Sequence, residues 1–387
     1  MLPATLQVRA LGAVCVVQCA AARFLMPAQP NYADFFTSGD RSRLAGVFQT
    51  FPLKDVRQWL TLPETSGGLG LHLLLEEETQ KFFPASNSAR EVRDRLLHAC
   101  QREGVLVRVR TSVESVRRSA CGGRWVCSLA NGDDVSCDAA IMAAGGLSYP
   151  AVGTDGTGYR IAQTLGHNLR KAEPYPALVP LAGIHPGGTN SLAGVSIGVG
   201  SLRTVSDDAS SAPAIETRGG FLFSHKGFSG PAVLNASHAI TNPKLLRANL
   251  VVNWSGESDA EWDSRLSVGG RCSVAAALSR SIPHRLALAL CVDASVDPAT
   301  MLMSLTRNAR KSLVSLLTRY QLPVSGSLGW KLAEVTGGGV CLDELEIPTL
   351  QSLLAPGIYH VGEMVDVFGR IGGFNFTWAW VSGGAVL

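Results

Sequence analysis

The residues best able to do chemistry lie near the end of the chain, where Gly357 to Gly384 reads GIYHVGEMVDVFGRIGGFNFTWAWVSGG. Ile358, Tyr359 and Val361 form a short apolar run that reads as a buried strand stopping at Gly362-Glu363. Asp366 and Gly369 then mark a loop, and Gly372-Gly373 precede a segment rich in Trp and Ala. Strand, acid, glycine pair and helix start is the order found where an open α/β sheet binds a ligand beyond its strand ends. A carboxylate there, Glu363 or Asp366, accepts hydrogen bonds from ribose or ribityl hydroxyls. Gly372 and Gly373 let the backbone approach a flat ring, and the positive helix end favours the ring's negative edge. A lone glycine pair also serves as a turn before a capped helix, so the whole block carries the reading.

Three other stretches could contribute. Ala139 to Ala144 is near-continuously apolar, which predicts a strand buried on both faces, and it ends in Gly145-Gly146-Leu147-Ser148-Tyr149-Pro150. Asp155 then stands ready to cap a helix over Gly156 to Leu165. Ala333 to Val340 contains Thr336 and the run Gly337-Gly338-Gly339, which allows close backbone approach to something planar, or a simple bulge. In Phe221 to Pro231, Ser229 is the expected cap of a helix beginning at Gly230-Pro231. His225 in the same stretch is the one histidine considered for proton transfer. An isolated histidine is more often structural.

The elements that must position these residues can be read in part. Leu53 to Leu60 has helical apolar spacing, and Ser88-Ala89-Arg90-Glu91 is a capping box for a helix burying Val92, Leu96, Leu97 and Cys100. Gly104 ends that helix. Val105 to Val109, Thr111 to Val116 and Trp125 to Leu129 read as strands, and Asn131-Gly132 signals a two-residue hairpin returning through Val135 and Cys137. Pro174 to Leu181 is a stiff exit from the first domain. Residues 182–329 read as an insertion, with β-like runs up to about 295 suggesting a small barrel or sandwich. Residues 298–321 then read as an amphipathic helix or helical hairpin, and the chain returns to the first domain near Trp330.

Composition narrows the classes. The chain has 387 residues, enough for two domains. It is 46% hydrophobic but has no uncharged apolar stretch of about 18 residues, so no membrane span is expected. A formal charge of +3, dispersed along the chain, gives no argument for nucleic acid. The nine cysteines contain no CxxC pair and no zinc spacing, so no metal site is expected and the thiols read as reduced. Residues 1–30 contain no acid and only Arg9 and Arg23 for charge. Gly12 to Gln18 could be one strand there, and the same composition also fits a secretory or organellar targeting segment. The compartment stays open: a soluble protein, cytoplasmic or organellar, with a targeting segment as the alternative use of residues 1–30.

Gly362-Glu363, Asp366, Gly369 and Gly372-Gly373-Phe374-Asn375 together resemble the C-terminal flavin segment of the HI0933-like (BaiN-type) FAD-dependent oxidoreductases. The blocks at Phe83-Pro84 to Leu96, Gly145 to Tyr159, Phe221 to Pro231 and Ala333 to Val340 resemble that family too. The resemblance runs, with gaps, from about Asn31 to the end. It implies an α/β fold: a discontinuous Rossmann-like FAD-binding domain over residues 31–181 and 330–387, with an inserted β-barrel-like domain plus helices at 182–329. It implies FAD as cofactor, a nicotinamide (NAD(P)H) as one source of electrons, and a small-molecule substrate. Gly372, Gly373 and Asn375 would face the isoalloxazine, with Phe374 also in the cofactor site, Glu363 or Asp366 would face the ribityl chain, and Gly145-Gly146 the adenosine side. Thr336, Gly338, Gly339 and Gly362 would complete the cofactor site. The family's first βαβ unit carries G-x-G-x-x-G, and no such motif follows a strand in residues 1–30. The domain is therefore expected to be truncated at its N-terminus. Two alternatives follow: a pseudoenzyme that keeps the family's surface without FAD, and a plain binding module built on the inserted domain.

Overall fold

Short apolar runs cannot satisfy their own backbone groups, so each needs a neighbouring strand to become one. The computed structural model describes residues 13–17, 26–29, 31–120, 122–206, 215–245, 248–268 and 270–386. It sorts the runs into two units, Met1–Pro174 with Val335–Leu387 and Tyr175–Glu334, each with its own apolar core. Most of residues 1–30, including the ends of the Gly12 to Gln18 run and the expected targeting segment, lie outside the described residues.

The first unit begins with β1 (Ala13–Val17), β2 (Met26–Pro27), β3 (Phe35–Phe36), α1 (Arg41–Thr50) and α2 (Leu53–Thr61). Asp40 starts α1 by accepting from Ser42 N at 2.8 Å, and α2 buries Val56 and Leu60 as its spacing predicts. β4 (Leu73–Glu76) and β5 (Lys81–Pro84) form a hairpin laid against β2. α3 (Ala89–Arg102) starts at Ser88, whose Oγ accepts from Glu91 N at 3.4 Å. Ser86 Oγ captures the Glu91 carboxylate, so only half of the expected capping box forms. The core-facing stripe of α3 runs through Val92, Leu96 and Ala99, which leaves Leu97 41% exposed against expectation.

The strand expected at Val105 to Val109 does not form. Leu106 and Val109 are 74% and 71% exposed, since strand propensity is realised only beside a partner ladder. β6 (Val113–Arg118), β7 (Trp125–Leu129) and β8 (Asp134–Cys137) do make the expected antiparallel meander. Its turn is longer than two residues. Leu129 N donates to Asp133 O at 2.8 Å around Ala130, Asn131 and Gly132, the last at φ 88°. β9 (Ala139–Ala143) is the centre of a parallel sheet, flanked by β1 and by β19 (Ile358–His360). Ala140 and Met142 are fully buried but Ala139, Ile141 and Ala143 only partly, so burial is less even than expected. α4 (Thr157–Thr164) is capped by Gly156 at φ 76°, while Asp155 accepts from Thr157 N at 2.9 Å.

The second unit opens with β10 (Tyr175–Ala177) and is built on an antiparallel sheet. Its strands are β11 (Leu181–Gly183), β12 (Ser196–Ser206), β13 (Glu216–Ser224), β14 (Gly227–Ser229), β15 (Ala248–Asn253), β16 (Tyr320–Gln321) and β17 (Val324–Ser327). The order β16-β15-β12-β13-β14-β11-β17 is open, so no closed barrel is found among the described residues. The two edge strands follow one another across Leu322-Pro323. Helices α5 (Pro231–Ala236), α6 (His238–Thr241), α7 (Asp259–Ser267), α8 (Val274–Leu278), α9 (His284–Asp293) and α10 (Arg307–Thr318) complete the unit.

Three of these helices, α7 to α9, lie where strands were expected. Ser258 forms a full capping box with Glu261, and Ser273 caps α8, so serines that read as loop punctuation are helix starts. Ser229 ends β14, and Gly230 at φ 93° takes the cap of α5 in its place. The segments entering and leaving the unit lie side by side: Leu328 N donates to Pro180 O at 2.9 Å and Glu334 N to Leu178 O at 3.2 Å. The chain then re-enters the first unit through β18 (Val335–Gly337), β19, β20 (Phe368–Gly369) paired with β3, and α11 (Phe374–Ala385). No helix among the described residues is long and apolar enough to cross a membrane.

Candidate functional site

β9 and β19 run parallel, with His360 opposite Met142, and both stop at glycines. Gly145 turns at φ 71° and Gly362 at φ 62°, conformations that side chains resist. Thr336 of β18 ties the two ends together. Its N–H donates to Glu363 Oε1 at 2.9 Å, and its Oγ1 accepts from Leu147 N at 2.7 Å and Ser148 N at 3.2 Å. Tyr159 of α4 donates its O–H to the Glu363 carbonyl at 3.1 Å. The helix α11 is fastened to the same point, because Trp378 Nε1 donates to Gly362 O at 2.9 Å and Ser382 Oγ accepts from Gly362 N at 2.9 Å. Burial raises the Glu363 carboxyl above its ordinary range, against the pull of its bonds to Thr336. Burial, then the Glu363 charge, raises the Tyr159 phenol further.

The glycines at this junction do different work. A Cβ on Gly146 would stand 2.1 Å from Thr336 Oγ1 and 2.5 Å from Glu363 Oε1, so the protein's own side chains use the space that glycine leaves. Gly338 and Gly339 likewise approach backbone, with a Cβ meeting Glu173 O at 2.4 Å and Met364 O at 2.6 Å. Gly362 is the opposite case. Among the described residues, chain neighbours aside, no atom lies within 4 Å of where its Cβ would project.

Asp366 turns away from Glu363. It is 2% exposed, and its Oδ2 accepts from Ser38 N at 2.8 Å and also from Ser38 Oγ, anchoring the loop between β3 and α1. The loop before α11 is closed by Asn375, whose Oδ1 accepts from Gly369 N at 2.8 Å while its Nδ2 donates to Gly369 O at 3.2 Å. Phe374 packs edge-on against Phe35 at 5.9 Å. Gly373 caps α11 at φ 93°, and among the described residues no side chain accepts from the first N–H groups of the helix.

The structure therefore gathers Gly145, Gly146, Thr336, Gly362 and Glu363 at one knot, fastened to α11 through Gly362. Gly372, Gly373, Phe374 and Asn375 shape the helix start, and Asp366, Gly338 and Gly339 brace the framework. His225 belongs to the second unit, exposed at the turn between β13 and β14. Sequence reasoning missed Ser38, Ser148 and Tyr159. Each bonds to a residue far away in sequence, a relation no local spacing reveals.

Comparison with known proteins agrees with this architecture. Residues 27–386 match the family described as HI0933-like protein Rossmann domain. The chain is 33% identical over 308 residues to the ribosomal RNA dihydrouridine synthase of Escherichia coli, covering 79% of this chain and 73% of that protein. It is 28% identical over 310 residues to the Haemophilus influenzae protein of the same name, with 79% and 74% covered. It is 26% identical over 309 residues to the 3-dehydro-bile acid delta(4,6)-reductase of Clostridium scindens, with 78% and 73% covered. With a family match spanning nearly the whole chain on a parallel β-sheet junction of this kind, the protein belongs to the HI0933-like family.

Proposed function

We propose that the chain is a FAD-dependent oxidoreductase that adds two hydrogens across a carbon–carbon double bond conjugated to a carbonyl. The observation that carries this is the helix α11, uncapped by any side chain, preceded by Gly372-Gly373 and fastened to Gly362 where β19 ends. These residues fit a flavin. Among the described residues nothing beyond its chain neighbours crowds the side-chain direction of Gly362, and the leading N–H groups of α11 suit an electron-rich ring edge. Gly362, Gly372, Gly373 and the start of α11 would hold the ring end. Glu363, on the Gly362 turn, would serve the ribityl chain, and Gly145 the adenosine side. The cofactor's contribution is hydride transfer between a reductant, such as a nicotinamide, and the substrate.

The names of the relatives support the reaction class. Making dihydrouridine from uridine, and reducing a dehydro-bile acid, both saturate a carbon–carbon double bond in conjugation. RNA thus joins small conjugated ketones among the candidate substrates, although the chain's +3 charge gave no reason to expect it. Incubation of the reduced protein with a uridine-containing RNA and, separately, with a steroid enone would tell the two apart.

The first test is the visible absorption spectrum after gel filtration, with and without added FAD. A retained flavin spectrum is expected, and Gly373→Val should abolish it. A Gly373→Val protein with a full flavin spectrum would rule out this placement. The absence of G-x-G-x-x-G after a strand in residues 1–30 favours a second reading, a chain that keeps the family fold without the cofactor. Protein that stays colourless in excess FAD would establish that reading instead.

A further inference from the structure

A second polar knot of the first unit lies before β19 rather than at its end. His167, which follows α4, places its Nε2 2.9 Å from Ser352 Oγ and its Nδ1 2.9 Å from Glu344 Oε2. The serine oxygen also accepts from Leu354 N at 3.1 Å and from Ala355 N at 2.9 Å. A hydroxyl has two lone pairs and one proton, so with both pairs taken its proton goes to His167. That assigns the tautomer: Nε2 is bare and accepts, and Nδ1–H donates to Glu344.

Serine, histidine and carboxylate in this polarity are the parts of an activated nucleophile. Here the serine is 2% exposed and spends both lone pairs on the backbone, so it has none left to attack with. What the hydroxyl does instead is close the turn over residues 353–357, which leads directly into β19. Ser352 N donates to Ile358 O at 2.7 Å across the same turn, and Leu353 and Leu354 stand exposed on it.

Charge reaches His167 from several elements. Glu344 favours its cation but shares its other oxygen with Lys171 at 3.1 Å. Asp343, beside Glu344, turns to Arg43 at 3.7 Å, and burial pushes the Cys341 thiol up. His360 of β19 stands edge-on at 4.6 Å and is itself pulled far down by burial, so it adds no charge at mildly acid pH. Burial, the largest influence on His167, lowers it below its ordinary range in spite of Glu344.

We propose that Ser352, His167 and Glu344 form an acid-sensitive clasp on the turn that leads into β19. With His167 neutral, the hydroxyl points at Nε2 and its oxygen holds Leu354 and Ala355. A proton taken from solvent at Nε2 turns that nitrogen into a donor, aimed at an oxygen that already has two. The serine proton loses its acceptor and one backbone N–H must let go, so the turn opens. Only hydrogen bonds change, and one proton is bound per opening. The sign follows from the lowered histidine: the clasp is closed above the ordinary histidine range and is released as pH falls through the folded value.

The test is hydrogen exchange of the full chain, read by NMR at the Leu354 and Ala355 amides from about pH 8 to about pH 5 and corrected for the intrinsic pH dependence of exchange. Circular dichroism checks folding at each pH. In the wild type, protection at these two amides should fall at least about tenfold relative to the amides of β9. Ser352→Ala should give low protection throughout, and His167→Gln, which stays neutral, should remove the pH dependence. A folded wild type with unchanged protection would overturn the proposal, as would a Ser352→Ala protein that keeps the full pH-dependent loss. An equal loss in β9 would also overturn it, because the unit and not the turn would be opening. Where a variant does not fold, the wild-type titration still decides, together with the nitrogen shifts of His167. A proton on Nε2 at about pH 8 would sink the tautomer and the clasp with it.

Discussion

Gly146 in the first unit and Trp254 in the second are both crowded, but by different kinds of neighbour. Around Gly146 stand a threonine hydroxyl and a glutamate carboxyl, each already committed to a hydrogen bond with a fixed direction. Around Trp254 stand the rings of Phe221 at 5.3 Å, Phe223 at 5.7 Å and Tyr320 at 5.6 Å. Among the described residues Trp254 even leaves its own Nε1 without a partner. The second unit fills volume and tolerates an unpaired donor for the sake of packing. The junction of the first unit orients donors and acceptors. Packing gives stability, whereas orientation fixes where each donor and acceptor points.

The comparison can be broken most sharply in the second unit. Trp254→Ala should cost about 4 kcal/mol of stability, read by denaturant titration, and should leave FAD affinity unchanged in protein that remains folded. A lowered FAD affinity with little loss of stability would mean that the units do not divide these roles. Gly146→Val should cost about 3 kcal/mol by forcing a side chain into the Thr336–Glu363 knot, and flavin retention on gel filtration should fall with it. Gly362→Ala adds a methyl to open space and meets only the strain of a positive φ, about 1–2 kcal/mol. The junction would be less directional than described if those two glycines proved equally tolerant.

Acid sharpens the contrast further, because each unit holds a buried histidine pulled well below its ordinary range. His360 in β19 is held down to about 3, by burial and then by the nearby His167, and both of its ring nitrogens lack partners. His167 stands edge-on at 4.6 Å, bonded to Glu344 and Ser352 at 2.9 Å each, and Glu344 also pairs with Lys171 at 3.1 Å. In the second unit burial alone lowers His238 to about 4. Both folded values lie below the unfolded one, so the stability these groups contribute is complete above about pH 6.5 and is lost as pH falls towards them. Each histidine should cost roughly 1.4 kcal/mol per pH unit within that window. His360→Phe should flatten the first unit's share and add about 1 kcal/mol at neutral pH by removing two unpaired nitrogens. Thermal melts from pH 4 to 8 would check it, and an unchanged acid slope would refute it. Glu363 runs the other way. Its raised carboxyl makes the knot less stable as pH rises through the folded value.

The parts legible in the sequence were those set by near neighbours. The strand at Ile358 to His360, the loop after it and the helix after Gly373 follow from apolar spacing and glycine alone. The meander from Val113 to Cys137 follows from alternation and one turn. Val105 to Val109 was misread because a strand needs a partner, and partners are not written locally. The helices over 259–293 were misread despite a usable signal: Ser258 with Glu261 three residues on is a capping box in plain sequence. At the candidate site, the residue types singled out one block, but the division of labour within it did not follow from them. Glu363 and Asp366 looked interchangeable, yet one joins the knot and the other anchors Ser38.

The side-by-side entry and exit of the second unit have a consequence for how this chain can change over time. With Leu178 bonded to Glu334 and Pro180 to Leu328, everything between behaves, for the rest of the molecule, as one long surface loop with its ends already closed. The entropy of closing a loop grows only with the logarithm of its length, so the unit's size is nearly irrelevant to whatever it is inserted into. Such a cassette can be lengthened, rebuilt or exchanged for a short turn while the parallel sheet keeps its register. Changes can therefore accumulate between residues 178 and 334 at little expense to the junction at Gly362.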